Sequence, residues 1–119
     1  MKIAIPAEND AGSNSKIGGH FGRVPFYTIY DTETKEYSDL PNTSEHFGGT
    51  DGMPPELLNS KGINVMLVSG IGNRAILLFD KYDIGVFTGL SPNTTAEKAV
   101  SLYESGELTQ ATKNDGCKH

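Results

Sequence analysis

The sequence predicts an α/β fold in which helices cover both faces of a mixed sheet. After residue 53, strand-like and helical segments alternate, which is typical of parallel strands joined by right-handed crossover connections. Residues 64–69 are apolar almost throughout, as in a central parallel strand that is covered on both faces. An earlier pair of strand-like segments around a short polar turn predicts a hairpin, so the sheet also has an antiparallel part.

Length and composition favour a single domain. The chain has 119 residues, and we predict a domain at 1–106 followed by a polar tail at 107–119. The formal charge of −5 argues against nucleic-acid binding, because phosphate contacts need a basic surface. The longest apolar run covers residues 75–79, far short of the ~20 residues that cross a bilayer, so no membrane role is expected. One cysteine allows no internal disulfide, and the chain opens with a strand-like run rather than a signal peptide, so we expect a cytoplasmic protein.

The first half of the chain predicts three strands and two long loops. Residues 2–6 form a short buried strand that ends at a proline. Residues 8–19 are rich in Asn, Asp, Gly and Ser and predict an unusually long loop. The aromatic and β-branched run at 26–30 predicts the second strand, and a tight turn at 31–34 leads into the third at 35–40. Residues 41–52 form the second polar loop.

The second half predicts three helices between short strands. The first helix begins at two prolines and runs to about residue 60, with Gly62 as its left-handed C-terminal residue. Strands at 64–69 and 84–87 enclose a helix at 73–82. Thr94 and Glu97 predict a capping box at the start of the last helix, and Gly106 ends it. The apolar stripe of that helix is Ala96, Ala99, Val100 and Tyr103.

Three loops that contain glycine also hold most of the histidine and arginine side chains. The first covers residues 17–23 (IGGHFGR), the second repeats His-Phe-Gly at 46–48, and the third covers 69–74 (SGIGNR) after a strand. The only two arginines and two of the three histidines lie in these loops. Because ligands of open α/β sheets bind beyond the carboxyl ends of the parallel strands, we expect the loops at 18–23 and 70–74 to converge. The candidate cofactor-binding residues are Gly19, His20, Phe21, Gly22, Arg23, His46, Gly70, Gly72 and Arg74.

Each of these features also has a purely structural interpretation. The glycines at 70 and 72 can simply allow a tight turn, and the third glycine of the dinucleotide fingerprint is missing. His20 is either a loop histidine that bonds backbone groups or a ligand for a transition metal or iron–sulfur core. His46 lies in a loop that resembles an ordinary polar connection.

The C-terminal tail contains a Cys-x-His pair, Cys117 and His119. The tail is either an extension without a function or a mobile segment that brings a soft ligand over a metal. One thiolate cannot build a Cys₄ cluster site or a Cys₂His₂ zinc site within this chain, so a metal would arrive as a preassembled unit or be shared between subunits. The candidate metal ligands are His20, Cys117 and His119.

Catalytic motifs are missing from the sequence. It has no P-loop, no HExxH motif, and neither a Ser-His-Asp arrangement nor paired carboxylates that can be singled out at strand ends. The acidic residues are scattered and are typical of a solvated surface. We therefore predict that the protein is not an enzyme.

Several of these segments together resemble one known family. They are the opening MKIAIP, the segment HFGRVPFY at 20–27, the segment VSGIGNRA at 68–75, and Gly89 before the last helix. In their order and spacing, the chain resembles the dinitrogenase iron–molybdenum cofactor biosynthesis family, the NifX/NafY type of domain that also forms the C-terminal part of NifB. The resemblance implies a three-layer, ribonuclease-H-like fold with a mixed five-stranded sheet in the order 3-2-1-4-5 and strand 2 antiparallel.

The resemblance also implies a function. The better-known members bind and carry iron–sulfur or iron–molybdenum cofactor precursors, and a related protein holds a molybdenum–copper sulfide cluster. The histidine of the family's His-Phe-Gly motif corresponds to His20. We therefore expect a cytoplasmic carrier in which His20 binds the metal while Arg23, Arg74 and loop N–H groups hold the negative charge of the cluster. The alternatives are a regulatory or scaffold domain that binds an anionic metabolite or a partner protein without metal, and a nuclease.

Overall fold

The computed structural model describes residues 1–18, 24–41, 58–69, 73–91 and 93–111. This part of the chain contains one sheet, two α-helices, a short 3₁₀-helix at Gly12–Asn14 and a helical turn at residues 58–60. The strands are β1 (Lys2–Ala7), β2 (Phe26–Asp31), β3 (Glu36–Pro41), β4 (Val65–Leu67), β5 (Gly85–Thr88) and β6 (Thr109–Ala111), and the helices are α1 (Asn73–Lys81) and α2 (Ala96–Glu104).

The sheet is mixed and has the order β3-β2-β1-β4-β5-β6. Strand β1 lies at its centre, because Ile3 pairs with Tyr30 of the antiparallel β2 on one side and with Val65 of the parallel β4 on the other. Strands β2 and β3 form the predicted hairpin, and β4 and β5 run parallel. The expected order of the first five strands and the reversed direction of the second are therefore confirmed. The ribonuclease-H-like assignment stays a prediction.

The expected number of five strands is wrong, because the sheet has six. The sixth, β6, pairs antiparallel with β5, with Gln110 opposite Phe87, and lies within the segment that we assigned to the polar tail. It has three residues, two of them exposed, so it carries no apolar alternation that a sequence pattern could reveal. Backbone pairing with β5 and the edge position define this strand, and both depend on the tertiary fold.

The two faces of the sheet each bear an apolar core, which explains the unbroken apolar run of β4. On β1, Ile3 and Ile5 pack with α2, whereas Ala4 lies on the opposite face with α1. Each fully buried aliphatic side chain stabilises the fold by about 1.5–3 kcal/mol. The buried residues on the α2 face are Ile3, Ile5, Ile17, Tyr30, Val65, Leu67, Leu90, Ala96, Ala99 and Val100. Those on the α1 face are Ala4, Val24, Tyr27, Leu58, Ile63, Met66, Val68, Phe79, Ile84 and Val86.

Three helical segments end with a residue in the left-handed conformation. Gly62 (φ 75°) and Gly106 (φ 79°) do so at the predicted positions. Asp83 (φ 58°) plays the same part after α1, where the N–H of Ile84 donates to the carbonyl of Phe79 at 2.9 Å. This bond satisfies a carbonyl group that the helix end would otherwise leave unpaired.

The start of α2 differs by one residue from the prediction. The N-cap is Thr95, whose hydroxyl accepts the N–H of Lys98 at 3.3 Å. Thr94 is therefore not the cap, and Glu97 lies one position too early to complete a capping box. The reason is tertiary: Thr95 forms a β-bridge with Lys16, and this pairing holds it in the extended conformation that a cap requires. Among the described residues, no helix has the length and apolar character needed to cross a membrane.

Candidate functional site

The residues on either side of the first candidate loop, 19–23, lie at the carboxyl end of β1. Gly18 donates its N–H to the carbonyl of Pro6 at 2.9 Å. On the far side of the loop, Val24 is buried and leads into β2, whose first residue, Phe26, pairs with Ala7 at the end of β1. Both ends of this loop are therefore fixed at one edge of the sheet.

The third candidate loop, 70–72, begins at the same edge. Strand β4 runs parallel to β1, with Ile3 opposite Val65, so the carboxyl ends of the two strands lie side by side. Helix α1 begins at Asn73, and its first turn contains Arg74. The N-terminus of an α-helix favours an anion, because its first N–H groups are not used within the helix and the helix dipole is positive there.

The second candidate loop, which contains His46, also leaves from this edge. Strand β3 ends at Pro41, which pairs with Phe26, and Phe26 in turn pairs with Ala7 at the end of β1. Strand β3 therefore ends on the same side of the sheet as β1. We call this side of the sheet, marked by Gly18, Val24, Pro41, Ser69 and Asn73, the carboxyl edge.

Most of the candidate residues themselves lie outside the described residues. They are Gly19, His20, Phe21, Gly22, Arg23, His46, Gly70, Gly72, Cys117 and His119. Arg74 is placed only through the backbone of α1. The expected neighbourhood of the strands that begin at Ile3 and Val65 is confirmed, and it brings the flanks of the loops together. The ligand roles of the loop residues stay predictions.

Ser15 fastens the long loop before Gly18, a connection that the sequence did not reveal. It is fully buried, and its hydroxyl accepts the N–H of Ala11 at 2.8 Å. Its carbonyl accepts the N–H of Ala96 at 2.8 Å, which satisfies a donor at the start of α2. The predicted long loop is thus tied to the N-terminus of the last helix.

Asp39 joins the same loop to the β2–β3 hairpin. Its Oδ1 accepts the N–H of Gly12 at 3.3 Å, the hydroxyl of Thr28 at 3.4 Å and the hydroxyl of Ser15 at 3.5 Å. Thr28 and Ser15 are both fully buried, so each needs a hydrogen-bond partner. Aspartate is uncommon in strands, and its presence within β3 was the available sequence signal.

Two tyrosines near the loops and the hairpin have raised pKa values. Burial raises the pKa of Tyr27, which lies on β2 opposite Pro6, well above its usual range. Partial burial is the main cause that raises the pKa of Tyr37. Coulombic interactions with Tyr30, Glu97 and Glu104 raise it further. Both phenols stay neutral at physiological pH, so they contribute packing and hydrogen bonding rather than charge.

Comparison with known families identifies the chain. The family model described as dinitrogenase iron-molybdenum cofactor matches residues 1–106. The chain belongs to this family. The resemblance that the loop motifs indicated is therefore confirmed, and β6 lies just beyond the matched residues.

Three relatives show how far the similarity to this cofactor family extends. An uncharacterised protein of Methanocaldococcus jannaschii is 28% identical over 113 residues, which cover 91% of this chain and 89% of that protein. The apo form of the orange protein from Desulfovibrio gigas has a TM-score of 0.81 at 22% identity, with 92% of each chain covered. A NifB-type protein from Thermotoga, assigned to the DUF35 family, has a TM-score of 0.74 at 24% identity, covering 92% of this chain and 91% of that one. At these identities, the two solved structures show a shared fold.

The described part of this family member does not by itself supply a metal site. Within it, no group of three or more His, Cys, Asp or Glu side chains is placed to hold a metal ion. The chain leaves the described sheet through β6, in which Thr109 lies opposite Thr88 and Ala111 opposite Val86. Because β5 points toward the carboxyl edge, β6 runs away from it. A tail that brings Cys117 to this edge must first reverse its direction.

Proposed function

We propose that this protein binds and carries an anionic iron–sulfur or iron–molybdenum–sulfur cluster, or a precursor of one, in metallocluster assembly or trafficking. It acts as a cytoplasmic carrier rather than an enzyme, and it exchanges its cargo with cluster-assembly proteins. One observation supports this most strongly. In a member of a family named for the iron-molybdenum cofactor, both flanks of the loops that contain His20 and Arg74, and the residue that precedes the loop with His46, lie at the carboxyl edge.

In this proposal, each type of loop residue has a separate task. His20 offers an imidazole to a metal of the cluster, and His46 lies in a neighbouring loop. Arg23 and Arg74 are permanent cations that attract the negative charge of a metal–sulfur core. Gly19, Gly22, Gly70 and Gly72 have no side chain, so the cluster can approach the backbone N–H groups closely. Cys117 and His119 are secondary ligands that engage only if the tail turns back.

The cluster must bring most of its own ligands. The chain has one cysteine, so it cannot surround an iron–sulfur core with four thiolates. A core that already contains sulfide needs few protein ligands and leaves the protein easily. Weak ligation of this kind suits a carrier, because the cargo must be transferred to the next protein.

Anaerobic reconstitution tests this proposal. Wild-type protein is incubated anaerobically with a preassembled iron–sulfur cluster that carries small thiolate ligands, desalted, and analysed for iron and acid-labile sulfide per chain. We expect wild type to retain a cluster and His20→Ala to lose most of it, because the loop around His20 offers no second side-chain ligand. Cys117→Ser and His119→Ala serve as matched comparisons, and we expect each to retain more cluster than His20→Ala.

The same samples distinguish the alternative function. A folded wild-type protein that takes up neither iron nor sulfide contradicts the carrier role. If such a protein still binds anionic metabolites or a partner protein, the carboxyl edge serves a regulatory or scaffold domain instead. Circular dichroism spectra of all variants establish that loss of cluster does not reflect loss of fold.

A further inference from the structure

Gly18 and Val24 enclose the five residues 19–23 and lie directly against each other. A Cβ atom placed on Gly18 would overlap Cγ1 of Val24 and would also lie 3.4 Å from Val24 Cβ and 3.6 Å from Glu8 Cγ. Gly18 is not among the glycines with a positive φ, so the backbone conformation does not require glycine here. It is the close approach of Val24 that leaves no room for a side chain.

Neither residue can move away easily. Gly18 is held by its hydrogen bond to Pro6, and the preceding Ile17 is 2% exposed and donates its N–H to the carbonyl of Thr94 at 3.0 Å. Val24 is 6% exposed and belongs to the apolar core on the α1 face. A displaced Val24 would leave a cavity in a close-packed core.

We propose that Gly18 and Val24 are positioning residues, whose contact holds the two ends of the 19–23 loop side by side at the carboxyl edge. This inference rests on the proposed function, since the cluster is the ligand that the fixed loop would serve. Holding the two ends of a loop in contact restricts the conformations that are open to the chain between them. A binding loop that is already ordered loses less conformational entropy when the cluster binds.

The contact between the two residues allows a test by double substitution. Gly18→Ala should force the base of the loop open, whereas Val24→Ala removes the Cγ1 atom that would overlap the new methyl group. The double variant therefore regains room for that methyl group and should recover the closed base. Gly85→Ala is the matched control, because Gly85 also lacks a positive φ and a Cβ there would lie at an ordinary 3.7 Å from the ring of Phe87.

Two measurements are made on wild type, both single variants, the double variant and the control. Amide hydrogen exchange of residues 19–23 in the cluster-free protein reports the state of the loop base. The rate at which a chelator removes the bound iron–sulfur cluster reports how well the loop holds the cluster. We expect Gly18→Ala to raise the exchange rate and to speed release by about 10- to 100-fold, the usual effect of losing an outer-shell partner of a metal ligand. The double variant should reverse most of both changes.

The proposal is overturned if Gly18→Ala matches Gly85→Ala in exchange and release, or if the double variant is no better than Gly18→Ala. Rescue by Val24→Ala also excludes a purely destabilising effect, because on its own that substitution creates a cavity and lowers the melting temperature. If Gly18→Ala does not fold, the double variant and Val24→Ala still provide the comparison. If wild type takes up no cluster, the proposed function fails, whereas the exchange data still decide whether the contact closes the loop.

Discussion

The carbonyl of Ser15 accepts the backbone N–H of Ala96 at 2.8 Å and so joins the long N-terminal loop to the first turn of α2. The hydroxyl of the same buried serine accepts the N–H of Ala11 and lies 3.5 Å from Oδ1 of Asp39. A single residue therefore connects the loop, the edge strand β3 and the last helix next to the carboxyl edge.

Ser15→Ala should lower the free energy of unfolding by about 0.5–1.5 kcal/mol, because it removes the hydroxyl that accepts the N–H of Ala11 and bonds to Asp39. The bond to Ala96 involves the backbone and should persist. Urea denaturation followed by circular dichroism measures the change. Ser38→Ala is the control, since Ser38 is exposed on β3 and its loss should change the free energy by less than about 0.5 kcal/mol. Equal effects of the two substitutions would show that the Ser15 hydroxyl does not hold the loop.

Thr95→Ala should lower the free energy of unfolding by about 1 kcal/mol, because it removes the cap that accepts the N–H of Lys98. Thr95→Ser keeps the hydroxyl and should retain most of the stability. Thermal unfolding of the two variants provides the comparison. A loss as large in Thr95→Ser as in Thr95→Ala would mean that the methyl group, and not the cap, carries the effect.

Two residues other than glycine have a positive φ in the described part of the chain, namely Lys35 (φ 60°) in the β2–β3 turn and Asp83 (φ 58°) after α1. Lys35→Gly should raise the free energy of unfolding by about 0.5–1 kcal/mol, because glycine tolerates this conformation and lysine does not. Asp83→Gly should gain less, since aspartate already tolerates it. Unfolding curves measure both, and a loss of stability in Lys35→Gly would contradict the expectation.

Sequence patterns predicted the parts of the fold whose cause is local or periodic. The stripe at Ala96, Ala99 and Val100 is buried as the helical period requires, and Gly62 and Gly106 end their helices. The missed features depend on residues far apart in the chain. Strand β6 exists because β5 offers an open edge, and Thr95 became the cap because it pairs with Lys16.

The candidate site also has features that the sequence predicted and features that it did not. The order of strands and loops was sufficient to predict that the chain on either side of the 19–23 and 70–72 loops meets at one edge, because parallel neighbours have their carboxyl ends together. The links from Asp39 to Ser15 and Gly12 span 24 and 27 positions, and no local pattern reports them. The contact of Gly18 with Val24 could not be predicted either, since a glycine in a glycine-rich loop is usually attributed to a turn.

Arg74→Ala should weaken cluster binding mainly at low salt. The arginine acts through charge attraction, and exposed charges are screened over ~10 Å at 0.1 M salt. The affinity difference from wild type should therefore shrink as sodium chloride is raised, whereas the deficit of His20→Ala should persist, because a missing ligand is not restored by screening. Titration of the cluster at several salt concentrations measures both. A salt-independent deficit in Arg74→Ala would assign that residue a structural role.

The position of the bound cluster is the most direct test of a cluster site at the carboxyl edge. A paramagnetic iron–sulfur cluster broadens the amide signals of nearby residues in an NMR spectrum of ¹⁵N-labelled protein, and the effect falls steeply with distance. After loading, the signals of Gly18, Ser69 and Gly89 should broaden or vanish. Ser69 and Gly89 follow β4 and β5, and Gly18 is hydrogen-bonded to Pro6 near the end of β1. The signals of Gly62 and Asp83, which precede β4 and β5 at the opposite edge, should stay sharp. Broadening of Gly62 and Asp83 with sharp signals for Gly18 and Ser69 would contradict a cluster site at the carboxyl edge.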